Sequence, residues 1–130
     1  MKKPHVINFH ITDACNYHCH HCFSDFKMDD MPLDSVKKVI DSIETYFLDN
    51  EISNGRINLA GGEPLVHPEL DAIIDYISGK GIEVSLVTNG SLLTEERIEA
   101  WAGKVSMIGI SVDAISSNTN IRIGRCDGCK

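Results

Sequence analysis

The amino-acid sequence predicts an α/β fold built on a parallel sheet. Two observations carry that expectation. Strand-like and helix-like patterns alternate along the 130 residues, and the polar, chemistry-bearing residues fall just after the strand-like segments. Alternation of this kind means βαβ units. The edge beyond the strand C-termini is where such sheets bind ligands.

The elements follow in order. Val6-Ile7-Asn8-Phe9-His10-Ile11-Thr12 is rich in β-branched and aromatic residues, reads as a strand, and runs into a polar, cysteine-rich loop. Leu33, Val36, Val39, Ile40, Ile43, Tyr46 and Phe47 recur at helical spacing, with Pro32 near the start and Asp34 in the first turn. Arg56-Ile57-Asn58-Leu59-Ala60 is a second strand, ended by Gly61-Gly62. Leu70, Ile73, Ile74 and Ile77 mark a second helix, opened by Pro68 and closed around Gly79 and Gly81. Glu83-Val84-Ser85-Leu86-Val87-Thr88 is a third strand, stopped at Asn89-Gly90. Thr94 suits the N-cap of a third helix, with Leu93 and Ile98 placed for a hydrophobic staple. Val105 to Val112 is a fourth strand ending at Asp113. From Ser116 to Lys130 the chain is polar, and no helix is expected to cover the fourth strand. A parallel strand ordinarily has both faces covered, so the sequence is expected to be the N-terminal part of a longer protein.

Length suits one domain, residues 1–130, and 42% hydrophobic with 24% charged residues is the balance of a globular chain. Lys and Arg number 12 and Asp and Glu 19, a net charge of −7 that does not attract nucleic-acid phosphates. No apolar run is long enough to span a bilayer. Asn8, His10, Thr12 and Asp13 interrupt what would be the apolar core of a signal peptide. The expected compartment is the reducing cytoplasm, where the five cysteines serve as metal ligands or stay as thiols.

Cys15, Cys19 and Cys22 form C-x3-C-x2-C in the loop after the first strand. Three thiolates so close together can converge on one metal centre. Iron–sulfur clusters are held by such runs, usually of four cysteines, so three would leave one iron open to another ligand. His18, His20 and His21 keep a Cys3His zinc site chemically open. After the second strand comes Gly61-Gly62-Glu63-Pro64. Two glycines there allow a close backbone approach to a ligand, and the carboxylate could accept a hydrogen bond from an ammonium group.

Cys15-x3-Cys19-x2-Cys22 followed by Phe23, with Gly61-Gly62-Glu63-Pro64, resembles the radical S-adenosylmethionine superfamily. The resemblance implies a 4Fe–4S cluster on the three cysteines and S-adenosylmethionine chelated to the open iron. One electron, from a donor such as a flavodoxin or ferredoxin, then yields a 5′-deoxyadenosyl radical. Phe23, Gly61, Gly62, Glu63, Asn89 and Ser111 would form the cofactor site, the glycines and Glu63 at the methionine amino group and Ser111 at the ribose. The fold implied is a partial (β/α)6 barrel, TIM-like, with its first four strands present.

A narrower resemblance, to the viperin family, extends over nearly the whole chain. It rests on Asn8-Phe9-His10-Ile11-Thr12, Cys15-Asn16-Tyr17, Cys22-Phe23, Ile57-Asn58, the Gly61–Leu65 stretch, Asn89-Gly90-Ser91-Leu92, Ile110-Ser111-x-Asp113 and Asn120-x-x-Ile123-Gly124-Arg125. Viperin-like enzymes dehydrate CTP to the 3′-deoxy-3′,4′-didehydro nucleotide, a chain terminator for viral polymerases. The resemblance implies a nucleoside triphosphate substrate, CTP first, and an antiviral lyase. Asn8 and His10 share one strand face. Arg56 replaces the family's lysine and keeps its charge, and Arg125 offers a bidentate fork for phosphate. The membrane helix of animal viperins has no counterpart in these residues. Cys126-Asp127-Gly128-Cys129 departs from the family pattern, and a peptide- or cofactor-maturing enzyme of the superfamily is the rival it favours. A zinc-stabilised binding module is the rival outside enzymes.

Overall fold

A computed structural model of the chain describes residues 3–20 and 29–125. Four strands, β1 (Val6–His10), β2 (Arg56–Ala60), β3 (Glu83–Thr88) and β4 (Val105–Ile110), form one sheet in the order β1-β2-β3-β4. Every neighbouring pair is parallel. The intervening helices are α1 (Leu33–Asp49), α2 (Leu70–Gly79) and α3 (Glu95–Ala100). Strand order never reverses, so right-handed crossovers put the helices on one side and leave the other concave, as in a barrel wall.

The alternation within each strand now has a physical meaning. Phe9, Ile57, Leu59, Val84 and Leu86 point to the helices and are buried with Val36, Ile40, Phe47, Ile73, Ile74, Ile77 and Trp101. Register carries the opposite face across the sheet, with Asn8 beside Asn58, Asn58 beside Ser85, and Ser85 beside Met107. A 17-residue α1 with an apolar stripe and a ten-residue α2 supply most of the cover. Thr94 caps α3 as expected, its hydroxyl accepting from Arg97 N–H at 3.2 Å. Trp101 packs on the helical side and donates its indole N–H to Asp71 at 2.8 Å.

Three details differ from the sequence-based expectation. β1 stops at His10; beyond it Ile11 N–H still donates to Ala60 O at 3.2 Å, and the chain also pairs with the returning arm on its other side. Thr12 bridges Asp30 antiparallel, Asp13 N–H donates to Asp29 O at 2.8 Å, and Met31 N–H donates to Ile11 O at 2.9 Å. These contacts close the base of the cysteine loop. β4 ends at Ile110 rather than Val112, although Ser111 N–H still reaches Thr88 O at 3.0 Å. Finally, the polar tail holds a helix, α4 (Ser117–Arg122). It buries no side chain of its own, so it leaves no apolar period in the sequence.

β4 pairs only with β3 among the described residues, and Met107 and Ile110 are 50% and 54% exposed. No helix among the described residues is long and apolar enough to cross a membrane.

Candidate functional site

The C-terminal ends of β2, β3 and β4, the cysteine loop and the tail enclose one cleft of about 360 Å³. Cys15, Cys19, Gly61, Gly62, Glu63, Asn89, Ser111 and Arg125 line it, joined by Tyr17, Thr88 and Asp113. Eight residues singled out from sequence therefore converge in one place, although Cys15 and Arg125 are far apart in the chain.

Cys15 and Cys19 are both half-buried at the wall of the cleft. Tyr17 N–H donates to Cys15 Sγ at 3.3 Å. Two soft sulfur donors on one short loop fit iron–sulfur ligation. Among the described residues no three His, Cys, Asp or Glu side chains converge as a metal site. Cys22 and Phe23 lie outside the described residues, as do His21, Cys126 and Cys129.

The two glycines after β2 do make a close approach, but their neighbour is the protein itself. A Cβ on Gly61 would overlap Thr12 O, and one on Gly62 would overlap Ala14 O. Gly62 N–H donates to Thr12 O at 2.9 Å and Glu63 N–H to Ala14 O at 2.8 Å. The Gly61-Gly62-Glu63 turn is thus sewn edge to edge onto the start of the cysteine loop. That pairing brings the backbone beside Cys15 into the cleft.

Glu63 is 1% exposed. Its Oε1 accepts from Thr88 Oγ1 at 2.5 Å and from Leu65 N–H at 3.2 Å, while Oε2 accepts from Asn89 N–H at 2.7 Å. A buried carboxylate needs such donors, and the bonds from Thr88 and Asn89 tie the β2 turn to the end of β3. Asn89 continues the linkage. Its Nδ2 donates to Asn16 Oδ1 at 3.0 Å, and its Oδ1 accepts from Ser91 N–H at 2.9 Å and Ser91 Oγ at 2.7 Å. Asn16 Nδ2 in turn donates to Ser91 Oγ at 2.8 Å. The cysteine loop is therefore fastened to the end of β3 by side chains and to the end of β2 by backbone.

The tail closes the third side. His18 N–H donates to Gly124 O at 3.1 Å and His20 N–H to Ile123 O at 2.7 Å. Arg125 then turns its guanidinium under the cleft. Nη1 donates to Asp113 Oδ2 at 2.7 Å, Nη2 donates to Ser111 O and, at 3.1 Å, to Ser111 Oγ, and the group lies 5.6 Å from the centre of the Tyr17 ring.

Asn8, His10 and Arg56 do not line this cleft. His10 borders a neighbouring hollow with Thr12, Asp13, Asp29, Asp30 and Met31. Asn8 and Arg56 sit upstream on the concave face, and Arg56 Nε is buried without a hydrogen-bond partner among the described residues. Sequence reading did not assign Thr88, Tyr17 or Asp113 to the site. Thr88 had a usable signal, a polar residue at the C-terminal end of a strand, just before Asn89-Gly90. Tyr17 and Asp113 had only their places beside Cys15 and Ser111.

Comparison with known proteins gives the family and the fold. The family model described as the radical SAM superfamily matches residues 9–127. A protein of Selenomonas ruminantium named S-adenosylmethionine-dependent nucleotide dehydratase is 39% identical over 125 residues, covering 93% of this chain and 43% of that protein. One of the same name from a Thermoplasmatales archaeon is 38% identical over 128 residues, covering 98% of this chain and 45% of that protein. The chain thus spans less than half the length of these curated relatives. Among solved structures, BtrN in complex with AdoMet and 2-DOIA superposes with a TM-score of 0.73 at 20% identity, over 88% of this chain and 48% of that one.

Proposed function

This chain belongs to the radical SAM superfamily, and from that premise we propose that it carries the cofactor face of an enzyme that dehydrates a nucleoside triphosphate, with CTP as first choice. The observation that carries the reading is the single cleft that gathers Cys15, Cys19, the Gly61–Glu63 turn, Asn89 and Ser111. The nucleotide rests on the names of the relatives.

Cys15, Cys19 and Cys22 would hold the 4Fe–4S cluster. When bound, the cluster and S-adenosylmethionine would supply radical chemistry at the ribose, driven by electrons from an external reductant, with one water lost from the sugar overall. The chain's own residues do the rest. The half-buried Gly61-Gly62 turn and the Ser111 hydroxyl would edge the cofactor's place. Glu63 acts from beneath by holding that turn against β3. Asn8 and His10 face the open sheet where a substrate would lie. Arg56 and Arg125 are the cations for phosphate, and Arg125 would exchange its Asp113 contact to serve. The 3′-deoxy product ends a growing nucleic-acid chain, which gives the reaction an antiviral use.

The test is anaerobic reconstitution of the full-length protein with iron and sulfide, then incubation with reductant, S-adenosylmethionine and each nucleoside triphosphate. The expected result is 5′-deoxyadenosine together with a nucleotide lighter by one water. Zinc as the bound metal would refute the radical reading. Turnover of S-adenosylmethionine stimulated by a peptide and by no nucleotide would refute the substrate.

A further inference from the structure

We propose that Ser85 and Asn58 are positioning residues that set the side-chain amide of Asn8, so that it presents N–H donors, not its oxygen, to a nucleotide over the concave face of the sheet. The inference deepens the substrate reading above and rests on it.

The three residues stand in one row across β1, β2 and β3. Ser85 Oγ lies 2.7 Å from Asn58 Oδ1, and Asn58 Nδ2 lies 2.9 Å from Asn8 Oδ1. A row of this kind could run in either direction, because a hydroxyl both donates and accepts. Burial decides. Ser85 is 0% exposed, and Asn58 is its hydroxyl's partner among the described residues. With no water to reach it, the hydroxyl proton must go to that partner, since a buried donor left unmade costs more than a spare lone pair. Asn58 therefore turns its oxygen to Ser85 and its nitrogen to Asn8. Asn8 must answer with oxygen, which leaves its own nitrogen, on an exposed residue, for something outside the protein.

The placement suits a substrate. Ala60 and Val87 line the cysteine cleft, and the row lies two residues upstream of them on the same face. At about 3.3 Å per residue that is ~7 Å from the cleft wall, within the span of one nucleotide. The matching group is a hydrogen-bond acceptor, a base carbonyl, ring nitrogen or ribose oxygen.

Two substitutions separate this from a merely structural role. Ser85→Val adds branched bulk and removes the hydroxyl, whereas Ser85→Thr adds the same bulk and keeps the hydroxyl. Asn58→Asp offers only acceptors, so Asn8 must rotate, donate to Asp and show its oxygen outward. The experiment is calorimetric titration of the cluster-loaded full-length protein with ATP, CTP, GTP and UTP, with S-adenosylmethionine affinity as the control. The expected result is about tenfold weaker binding of the preferred nucleotide in Ser85→Val, wild-type affinity in Ser85→Thr, and a changed ranking of the four in Asn58→Asp. S-adenosylmethionine affinity stays constant throughout. Equal nucleotide affinity in Ser85→Val and wild type, or an equal loss in the Val and Thr variants, overturns the proposal while the substrate reading stands. A wild type that binds none of the four overturns both.

Discussion

Gly124 presses its backbone against that of His18. His18 N–H donates to Gly124 O at 3.1 Å, Gly124 sits at φ +78°, and a Cβ there would overlap His18 O. Any side chain at 124 must therefore push residues 18–20 away, and Cys19 lies among them. Gly124→Ala is expected to cost about 1–3 kcal/mol for the left-handed backbone alone. It should also lower iron bound per chain after reconstitution. Iron content and the electron paramagnetic resonance signal of the reduced cluster check this, and full iron loading in the variant would show that the tail does not position Cys19.

Glu63 offers a sharper energetic test. Gln at this position keeps one acceptor but points an amide donor at a donor, Thr88 Oγ1–H or Asn89 N–H. Glu63→Gln should destabilise by about 1–3 kcal/mol. If the penalty arises at Thr88, Thr88→Val should relieve part of it, because the competing hydroxyl is gone. Urea unfolding of both single variants and the double variant measures the coupling. Strict additivity would mean that the two side chains act independently.

These contacts also mark where the sequence is legible. The strands announce themselves because Phe9, Ile57, Leu59, Val84 and Leu86 must face the helices, and that need writes a two-residue period. Cys15 and the Gly61–Glu63 turn were legible as motifs at strand ends, and Ser111 only through the family resemblance. What Gly61 and Gly62 touch was not, because the constraint is the backbone of Thr12 and Ala14, almost fifty positions earlier. Local pattern holds no record of that contact. The same applies to α4, whose reason for existing is a cap at Ser116 and docking on His18 and His20, not an apolar face. Ser85 and Asn58 look like ordinary polar breaks in two strands until register sets them side by side.

On the helical side, Asp41 receives Tyr76 Oη–H at 2.6 Å and Lys80 Nζ at 3.0 Å, and Lys80 also meets Glu44 at 3.0 Å. The tyrosine hydrogen bond first, and the lysine second, hold the Asp41 carboxyl below the usual carboxylate range. A carboxyl depressed on folding adds stability that is present above its unfolded value of about 3.9 and lost as pH falls through the lower folded one. The lysine ammonium is pushed up by the same carboxylates, Asp41 first, so its contribution is present below about 10.4 and lost as pH climbs through its folded value. Tyr76→Phe removes the largest influence on Asp41. Its carboxyl carbon should then titrate at higher pH in an NMR series, and an unmoved midpoint would assign the depression to Lys80 instead.

The ligand set for iron is expected to be confined to one loop. Three sulfurs on a short segment close a chelate with little loss of chain entropy. Cys15→Ala, Cys19→Ala and Cys22→Ala should each abolish the brown chromophore and the cleavage of S-adenosylmethionine. Cys126→Ala and Cys129→Ala should leave both unchanged. Loss of the chromophore in Cys126→Ala would move a ligand to the tail.

The two arginines should separate under substitution, because only one is already bound. Arg125 donates to Asp113 and Ser111 across the Tyr17 ring, whereas Arg56 carries a buried Nε with no partner among the described residues. Removing Arg56 therefore disturbs little within the protein. If it serves phosphate, Arg56→Ala should weaken triphosphate affinity by roughly tenfold to a hundredfold through one lost charge-assisted hydrogen bond, with iron loading intact. Arg125→Ala should do more than one thing. It releases Asp113 and loosens the Ile123–Arg125 segment that fastens His18 and His20. The Arg125–Asp113 pair, with side chains 10% and 32% exposed, should show a coupling of about 0.5–1 kcal/mol in a double-mutant cycle with Asp113→Asn. Iron content, nucleotide affinity and melting temperature measured on the same variants decide between the roles. An Arg125→Ala protein that keeps its cluster and its melting temperature while losing triphosphate affinity would make Arg125 a phosphate ligand alone, and the contact with Asp113 incidental.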